Sequence, residues 1–452
     1  MIFDKTFLYR LAGAVLLAGA ALLMFACQGV AVSNTATGQD SAPTPPPTPL
    51  PAVNTPRAGT PVLESTVTPE EETLTLTVWT VEAVSPMAGE EAARFFEQTV
   101  QDFELANPNI DVKVFLKKPT GKGGVLDFLR TSKKAAPAVL PDVVVMQATD
   151  LNQAFGERLI QPLDGKLDRS IVQDLLPASR RVGTVNEKLA GVPLGIEMEH
   201  TVYNTGVFTG TPIYWGHVLG KNTRYLFPAK GVNGLVNDVT LAQYFSAGGE
   251  LVDQEGTPKI DDRALNAVLT FYEQARSNAT IDLSSLEAGT TEELWPEYLA
   301  GRAGIAQLSV SQYLTDRGLL NSTQPSALPV EDAGKTPSGI MHAWVLTLVT
   351  DNIDRQDAAL RLLETFLDTE NNATWNEINK SIPVRDSSYQ LLAGDDPYWL
   401  FLTEQLNTAR PEPRFTGYDR VGRILQQAVE QVIGGEATAA EATNTAVDAF
   451  TQ

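Results

Sequence analysis

Three ionisable residues stand inside an otherwise apolar run, "GVPLGIEMEHTVYN", at residues 191–204. Glu197 and Glu199 are two positions apart, so in a β-strand both side chains project from one face. A glycosidase uses a pair of carboxylates, but these normally come from separate elements on either side of the scissile bond. The run therefore favours a strand whose polar groups face a cleft. Catalysis and plain solvated charge are the alternatives.

His200 follows these glutamates and raises the question of a metal site. The letters "EMEH" do not form the helical H-E-x-x-H pattern, and a strand would splay its ligands. The chain has three histidines in all, the others being His217 and His342, whereas a dedicated metal binder usually needs more. We predict no metal site.

Signatures of phosphate binding and nucleophilic catalysis are missing from the sequence. The glycine-rich "PTGKGGVLDF" lacks the spacing of a phosphate loop, and no G-x-S-x-G motif occurs. We therefore expect no cofactor and no enzymatic activity.

Length and charge limit the classes of protein that the chain can belong to. At 452 residues it is long enough for two to three domains or one large two-lobed unit. The formal net charge is −21, with 34 basic and 55 acidic residues. Binding to a phosphate backbone requires a basic surface, so we predict no nucleic-acid partner.

The N-terminal segment has the layout of a secretory signal. Lys5 and Arg10 precede an apolar run at 11–26, and Cys27 follows directly. This layout resembles a bacterial lipoprotein signal, which implies a signal peptide over 1–27 with Cys27 as the lipidated residue. An uncleaved membrane anchor is the alternative, and both place the remaining chain outside the cytoplasm. Cys27 is the single cysteine, so no internal disulfide forms.

Residues 28–72 are rich in Thr, Pro, Ser and Ala, with repeated Thr-Pro pairs. Such a composition cannot bury a core, and proline at this density favours extended polyproline II structure. We predict a disordered, semi-rigid stalk that separates the folded part from a membrane. Its role as a plain spacer or as a glycosylated stalk stays open.

The next segments alternate between strand and helix patterns. "TLTLTVWT", "IDVKVFL" and "PDVVVMQA" have strand patterns, and helical spacing separates them in "EEAARFFEQTVQDFELANP" and at 124–134. This order predicts a parallel α/β sheet, in which ligands bind beyond the carboxyl ends of the strands. Asp142 begins the third strand, where it either caps an element or lines the cleft.

Eight segments occur in an order that is typical of one family: "LTVWT", "FELANPNIDVKV", "LPDVVVM", "LIQPLDG", "GVPLGIEMEHTVYN", "SAGGELVD", "AGRAGIAQ" and "SIPVRDSSY". In these segments the chain resembles the extracellular solute-binding proteins of ABC importers, family 1, to which the maltose-binding protein belongs. The resemblance runs from about residue 73 to residue 452.

The resemblance implies a type II periplasmic-binding-protein-like fold, with two α/β lobes joined by crossing hinge strands and a ligand cleft between them. The implied N-terminal lobe covers 73–198 and 302–342, and the C-terminal lobe covers 199–301 and 343–452. The opening run would leave the first lobe near Pro193 and enter the second near Tyr203. Two return crossings are expected, near "GIAQLSVSQYL" and "GIMHAWVLTLV".

Sugar ligands need aromatic rings against their apolar faces and polar side chains around their hydroxyl groups. Besides Asp142, Glu197, Glu199 and His200, the resemblance implies further ligand-binding residues: Trp79, Thr80, Ser311, Gln312, Tyr313, His342, Trp344 and Tyr418. For each aromatic residue, packing in a core is the alternative. Trp295 and Trp375 lie in amphipathic helical patterns, and we assign both to the core.

The chain departs from the family pattern after "VYN". Most members continue there with a Thr-Trp-Asp/Glu run that opens a helix, whereas this chain has "TGVFTGTPIYWGHVLGKNTRYLFPAKG", which includes Trp215. We expect a remodelled cleft edge in the second lobe.

These features together predict a monomeric, non-catalytic receptor, lipid-anchored to the outer face of the bacterial cytoplasmic membrane. It would capture a small polar solute, a mono- or oligosaccharide, and deliver it to the transmembrane subunits of an ABC permease. A secreted carbohydrate-active hydrolase and a ligand-sensing or adhesion lipoprotein are the alternatives.

Overall fold

The computed structural model describes residues 73–84 and 89–451. The predicted signal peptide, Cys27 and the predicted stalk at 28–72 lie outside the described residues.

The strands are short and scattered along the whole described chain. In chain order they are β1 (Leu74–Thr80), β2 (Ile110–Leu116), β3 (Val143–Gln147), β4 (Thr184–Val185), β5 (Lys188–Leu189), β6 (Val192–Pro193), β7 (Glu197–Asn204), β8 (Tyr225–Leu226), β9 (Ile305–Ser309), β10 (Thr323–Ser326), β11 (Ile340–His342), β12 (Trp344–Leu348) and β13 (Arg410–Pro411).

The helices are distributed along the same part of the chain as the strands. They are α1 (Glu90–Ala106), α2 (Val125–Ala135), α3 (Leu151–Gly156), α4 (Arg169–Asp174), α5 (Pro177–Gly183), α6 (Trp215–Leu219), α7 (Asp238–Ser246), α8 (Asp262–Ser277), α9 (Ser284–Glu287), α10 (Thr291–Leu299), α11 (Val310–Asp316), α12 (Ile353–Phe366), α13 (Thr369–Asn379), α14 (Asp386–Ala393), α15 (Pro397–Thr408), α16 (Tyr418–Gly434) and α17 (Ala439–Thr451). Short 3-10 turns lie at Glu82–Val84, Pro137–Val139, Ala148–Asp150 and Arg317–Leu319.

The first sheet has the strand order β2-β1-β3-β12-β6. β1 runs parallel to β2 and β3, as the alternation of strand and helix patterns predicts, and β12 runs antiparallel to β3. The four residues 143–146 of β3 are fully buried, which explains their uninterrupted apolar sequence. On α1, Phe96 and Phe103 fall on the buried face.

The second sheet has the order β13-β11-β7-β9-β8, with β10 paired to the far end of β7. β7 carries the opening run, and it pairs antiparallel with β11 on one side and β9 on the other. The structure therefore confirms an α/β fold built on two large sheets, beside which β4 and β5 form a separate two-stranded sheet. Helices α7, α8, α16 and α17 enclose a core of their own beside this second sheet.

The chain passes between the two sheets at three places. It leaves the first sheet after Pro193 and enters the second at Glu197. It returns across a single residue, Ala343, which separates β11 from β12. The last passage follows α15, since β13 pairs with β11 in the second sheet.

Of the two return crossings expected from the sequence, one is present and the other is not, and the passage after α15 was not predicted. A crossing lies at "GIMHAWVLTLV" as predicted, but "GIAQLSVSQYL" stays within the second sheet, because β9 pairs with β7 along five residues. The segment between β12 and α15 packs with the first sheet, where α12 contacts β1 and β12, and α13 contacts α1. Residues 302–342 and 344–393 thus lie with the opposite sheets from those that the predicted lobe boundaries gave them, whereas α15 contacts elements of both.

The divergent segment after "VYN" folds onto the second sheet. Its Trp215 is 7% exposed, stacks on Phe271 at a centroid distance of 5.0 Å, and donates from Nε1 to Gln243 Oε1 at 2.7 Å. Trp215 is therefore a core residue. None of the helices within the described residues is long and apolar enough to cross a membrane.

Candidate functional site

A pocket of about 220 Å³ lies where the first and second crossings meet. We call it the inter-sheet pocket. Its walls are formed by the turn after β1, the end of β3, both crossings, the end of α13 and the loop after β13. The residues that line it are Ala83, Val84, Gln147, Ala148, Thr149, Leu194, Gly195, Ile196, Glu197, Met341, His342, Ala343, Trp344, Trp375, Asn379, Ser381 and Glu412. It thus opens at the carboxyl ends of the parallel strands, where α/β sheets bind ligands.

Two asparagines of α13 hold the first crossing in place. The side-chain amides of Asn372 and Asn376 both donate to the carbonyl of Leu194 at 2.9 Å. Gly195 comes next, and a Cβ there would lie 2.3 Å from Asn376 Oδ1, so a side chain has no room. This contact sets the backbone of the crossing before the chain reaches Glu197.

Glu197 is the carboxylate that β7 brings to the inter-sheet pocket. Its Oε1 accepts hydrogen bonds from the backbone N–H groups of Met198 and Val310, both at 3.0 Å. Burial raises the pKa of Glu197 to about 7, against the opposing effect of a hydrogen bond from Ser311. Glu197 therefore changes charge near neutral pH.

His342 lies opposite Glu197 in the pairing of β11 with β7. Its Nε2 lies 2.6 Å from Asp238 Oδ2, and its Nδ1 lies 3.0 Å from Glu412 Oε2. Desolvation by itself would lower the pKa of His342, but the two carboxylates outweigh it and raise the pKa well above 6.5. Both ring nitrogens then donate, and the residue is an imidazolium held between two anions.

Glu199 shares a strand face with Glu197 but lines a different space. It borders a separate cavity of about 20 Å³ together with Asp238, Gln307 and Ser338. Its Oε2 atom is buried and has no hydrogen-bond partner. Burial, and then the nearby Asp238 carboxylate, raise its pKa, so Glu199 is a neutral carboxylic acid under neutral conditions.

Two tryptophans contribute to the wall of the inter-sheet pocket. Trp344 begins β12 and is half-buried, so part of its ring faces the pocket. Trp375 is 5% exposed and lies beside Phe95 at a centroid distance of 6.4 Å, which agrees with its assignment to the core. Trp344 is thus the aromatic surface that can stack against a ligand ring.

Three predicted binding residues of the first lobe do not line the inter-sheet pocket. Trp79 is 4% exposed, meets the edge of Phe128, and has the Lys117 ammonium 4.6 Å above its ring. Thr80 donates from Oγ1 to the carbonyl of Val84, which closes the turn after β1.

Asp142, the third of these residues, ties three elements of the first lobe together. Its Oδ2 accepts from the Thr77 N–H at 2.8 Å, and its Oδ1 accepts from Arg355 Nε at 2.7 Å. These contacts join the start of β3 to β1 and α12. Asp142 is 2% exposed and is part of the core rather than of the pocket wall.

His200 and Tyr313 meet Tyr398 and Phe401 of α15 in what we call the aromatic cluster. His200 is 2% exposed, and its Nε2 lies 2.8 Å from Tyr398 Oη. The Tyr313 ring stacks on Tyr398 at 4.2 Å. Burial lowers the pKa of His200 to about 4, so its ring is neutral. These residues pack β7, α11 and α15 together.

The remaining predicted residues lie near other elements. Ser311 Oγ is 3.2 Å from Ser309 Oγ, and Gln312 donates from Nε2 to Asp316 Oδ2 at 2.6 Å. Tyr418 begins α16 and touches Phe415 at 5.5 Å. Of the twelve predicted ligand-binding residues, the pocket wall includes Glu197, His342 and Trp344.

Several polar residues of the wall were not predicted, among them Gln147, Asn379, Ser381 and Glu412. Glu412 stands in "RPEPRFTGY", a segment from which we chose only the aromatic Tyr418. An acidic residue between two prolines could have been noticed there. The others follow no motif, because they reach the pocket from the ends of elements that are distant in sequence.

A metal site is not indicated by the structure of 73–84 and 89–451. In those residues, no group of three or more His, Cys, Asp or Glu side chains is arranged to hold a metal ion. The Asp238–His342–Glu412 group uses both imidazole nitrogens in its hydrogen bonds.

Residues 98–399 match the family described as "Bacterial extracellular solute-binding protein". A comparison with curated protein sequences gave no match.

Solved structures share the fold over most of the chain. The cyclic alpha-maltosyl-1,6-maltose binding protein of Arthrobacter globiformis has a TM-score of 0.67 at 18% identity, covering 83% of this chain and 98% of its own. Maltose-bound MalE3 of T. maritima has a TM-score of 0.65 at 18% identity, with coverages of 84% and 99%. The GacH receptor of Streptomyces glaucescens, solved unliganded and with acarbose, has a TM-score of 0.63 at 17% identity, covering 84% of this chain and 97% of its own.

Proposed function

The chain belongs to the bacterial extracellular solute-binding proteins, and from this we propose that it captures a mono- or oligosaccharide for an ABC importer. The observation that carries the proposal is the inter-sheet pocket, where the half-buried Trp344 ring shares a largely apolar wall with polar side chains such as Gln147 and Asn379. An apolar ring with polar groups around it is the surface that a sugar requires. The similar structures named above, which bind maltose, a cyclic maltosyl-maltose or acarbose, support the same ligand class.

The position of the pocket suggests how binding would be signalled. Glu197 and His342 belong to the second sheet, whereas Trp344 and Gln147 belong to the first. A ligand that touches both groups holds the two sheets together, and this differential contact favours a closed form over an open one. In our proposal a membrane permease receives the sugar from that closed form.

We further propose that Cys27 carries a lipid that holds the protein at the outer face of the cytoplasmic membrane. The signal-like pattern before Cys27 and the proline-rich stretch after it support this. Replacing Cys27 by Ser should move the protein from the membrane fraction to the medium. Retention of this variant in the membrane would favour the uncleaved anchor instead.

The proposed role is binding without turnover. A retaining or inverting hydrolase needs one protonated and one ionised carboxyl group across the scissile bond. In β7 the pKa values of Glu197 and Glu199 are both raised, and the two side chains border different cavities. Glu197 and Glu199 are therefore poorly placed to act on one bond as general acid and nucleophile.

Titration calorimetry with the purified protein tests the proposal. The panel should include glucose, galactose, maltose and maltotriose, with tryptophan fluorescence as a second signal because two tryptophans border the pocket. We expect saturable binding of at least one sugar and no product after prolonged incubation. Absence of binding for every sugar of the panel and for other small solutes would refute the capture role. Release of a smaller sugar would support the hydrolase alternative.

A further inference from the structure

The ionisable residues that line the inter-sheet pocket are Glu197, Glu412 and His342. No lysine or arginine is part of its described wall. The Glu412 side chain is 33% exposed, so it remains in contact with the pocket while it accepts the hydrogen bond from His342. The wall therefore offers two carboxylates and one imidazolium to a ligand.

The imidazolium is already balanced by its own partners. His342 lies between Asp238 and Glu412, so one positive charge faces two negative charges before Glu197 is considered. Glu199 borders the neighbouring cavity beside Asp238 and adds a further carboxyl group on the far side of His342. Carboxyl groups thus outnumber cationic groups around His342.

Arg414 is the guanidinium that could alter this balance, since it follows Glu412 on the same loop. Its Nη1 donates to the carbonyl of Val182 at 3.3 Å, and burial lowers its pKa although the carboxylates of Glu412 and then Asp150 favour its charge. The positive charge of Arg414 is therefore shared between Glu412 and Asp150. The excess of carboxylates around the inter-sheet pocket remains.

Resting on the proposed function, we propose that the preferred ligand is a saccharide with a protonated amino group, whose ammonium pairs with Glu197 while its ring lies on Trp344. A carboxylate without a cationic partner in a desolvated pocket is costly, and a cationic ligand lowers that cost by forming charge-assisted hydrogen bonds. An anionic sugar, such as a uronate, meets repulsion from Glu197 and Glu412.

Without a ligand, the free-energy cost of a buried negative charge is lowered because the Glu197 carboxyl group is protonated in part of the molecules. Burial raises the pKa of Glu197 to about 7, so a proton is bound there in part of the molecules at neutral pH. An ammonium group stabilises the ionised form, and its binding therefore releases that proton to solvent. Affinity for an amino sugar should rise from pH 5.5 to pH 7.5 while affinity for a neutral sugar stays level.

Titratable groups from several elements lie around Glu197 and its strand. His342 pairs with Glu197 across β11 and β7, and the pKa of Tyr398 of α15 is raised by burial and then by Glu197. Asp238 of α7 and Glu292 of α10 act on Glu199 of the same strand, and Glu412 of the loop after β13 contacts His342. His342 stays protonated across this range because its pKa is raised. Glu197 is accordingly the group on the pocket wall whose charge changes near pH 7.

The test is calorimetry of the purified protein with matched sugar triplets: glucosamine, glucose and glucuronate, then galactosamine, galactose and galacturonate. In at least one triplet we expect the amino sugar to bind about tenfold more tightly than the neutral sugar, with the uronate weakest. At pH 6.5, runs in two buffers of different ionisation enthalpy should reveal a proton released by the amino sugar and none by the neutral one.

Glu197→Gln keeps the shape of the side chain but removes its charge. In this variant the preference for the amino sugar over the neutral sugar should fall to about threefold or less. Glu436→Gln is the matched control, since it removes one negative charge from an exposed site outside the pocket wall and should leave the preference unchanged.

Three outcomes overturn the inference, and they separate it from the proposed function. Equal or tighter binding of the neutral sugar, or tightest binding of the uronate, refutes the amine preference while sugar capture stands. An unchanged preference in Glu197→Gln removes Glu197 as its cause. Absence of binding by every sugar in both triplets and in the neutral oligosaccharide panel refutes the proposed function and this inference together.

Discussion

The two histidines of the second sheet differ in charge although the protein surrounds both. His200 in β7 lies among the rings of the aromatic cluster, and burial lowers its pKa to about 4. His342 in β11 lies between Asp238 and Glu412, and its pKa is raised well above 6.5. Desolvation opposes the charge of both rings, so the two carboxylates make the difference.

This comparison shows how one sheet supports both packing and recognition. The aromatic cluster is sealed and neutral, and it connects α15 to β7. The pocket wall around His342 and Glu197 keeps charge within reach of a ligand. Mutations in the two regions should therefore have separable effects, the first on the free energy of unfolding and the second on affinity.

Acid destabilisation through His200 is the largest expected effect. Its folded pKa lies near 4 and the unfolded value is 6.5, so the unfolded chain binds a proton that folded His200 does not. The resulting stability is complete above pH 6.5 and is lost as the pH falls towards 4, to a total of about 3 kcal/mol. Denaturant unfolding between pH 4 and pH 7.5 measures the slope.

His200→Gln is the variant for this slope, and His217→Gln is its control because His217 is exposed. We expect His200→Gln to be less stable than the wild type and to lose less unfolding free energy between pH 7.5 and pH 4. The control should lose as much as the wild type. An acid limb that persists in His200→Gln would assign the effect to other groups.

The second prediction concerns His342 and has the opposite pH dependence. Because its folded pKa is raised above the unfolded 6.5, its contribution is complete below pH 6.5 and is lost as the pH rises through the raised value. At pH 6.5, His342→Gln should cost about 1 to 2 kcal/mol, since Asp238 and Glu412 then face each other without a cation. Comparing the two proteins from pH 6 to pH 9.5 should show the difference shrink. A difference that grows with pH would contradict the imidazolium.

The third prediction separates Trp344 from Trp79, two tryptophans at strand ends. Trp344→Ala should weaken sugar binding by at least about 1 kcal/mol through the loss of ring stacking. Trp79→Phe, which only trims a core ring, should leave the affinity unchanged. Calorimetry measures the sugar affinity of both variants. An unchanged affinity in Trp344→Ala would remove this residue from the site.

The smallest effect is expected for Tyr398→Phe. This change removes the hydroxyl group that lies 2.8 Å from His200 Nε2 and should cost about 1 kcal/mol or less of unfolding free energy. The sugar affinity should not change, because Tyr398 belongs to the aromatic cluster. A clear loss of affinity with intact stability would show that the cluster acts on the pocket.

Elements with a strong local pattern could be predicted from the sequence. The β-branched alternation of β1, the apolar run of β3 and the helical spacing of Phe96 and Phe103 each describe a burial face that neighbouring residues establish together. The position of "GIAQLSVSQYL" within the second sheet could not be predicted in this way. Pairing of β9 with β7 joins residues about a hundred positions apart, and the local pattern is the same for either sheet.

The candidate site shows the same limit in single residues. Glu197 and Glu199 share a strand face, as their spacing required, yet Glu197 borders a cavity with the loop after β13 and Glu199 borders another with α7. Trp79 and Trp344 both stand at strand ends, but Phe128 of α2 covers only Trp79. Glu412 joined the pocket through its contact with His342, 70 positions earlier.

The sequence by itself determined the class of fold, the strand nature of the opening run and the family, because periodicity and ordered motifs are local properties. Tertiary structure alone decided which side chains border the pocket and which of them carry charge. His342 is an imidazolium because Asp238, 104 residues before it, lies 2.6 Å from its ring. Protonation depends on such contacts and on desolvation, and both arise only when distant segments pack together.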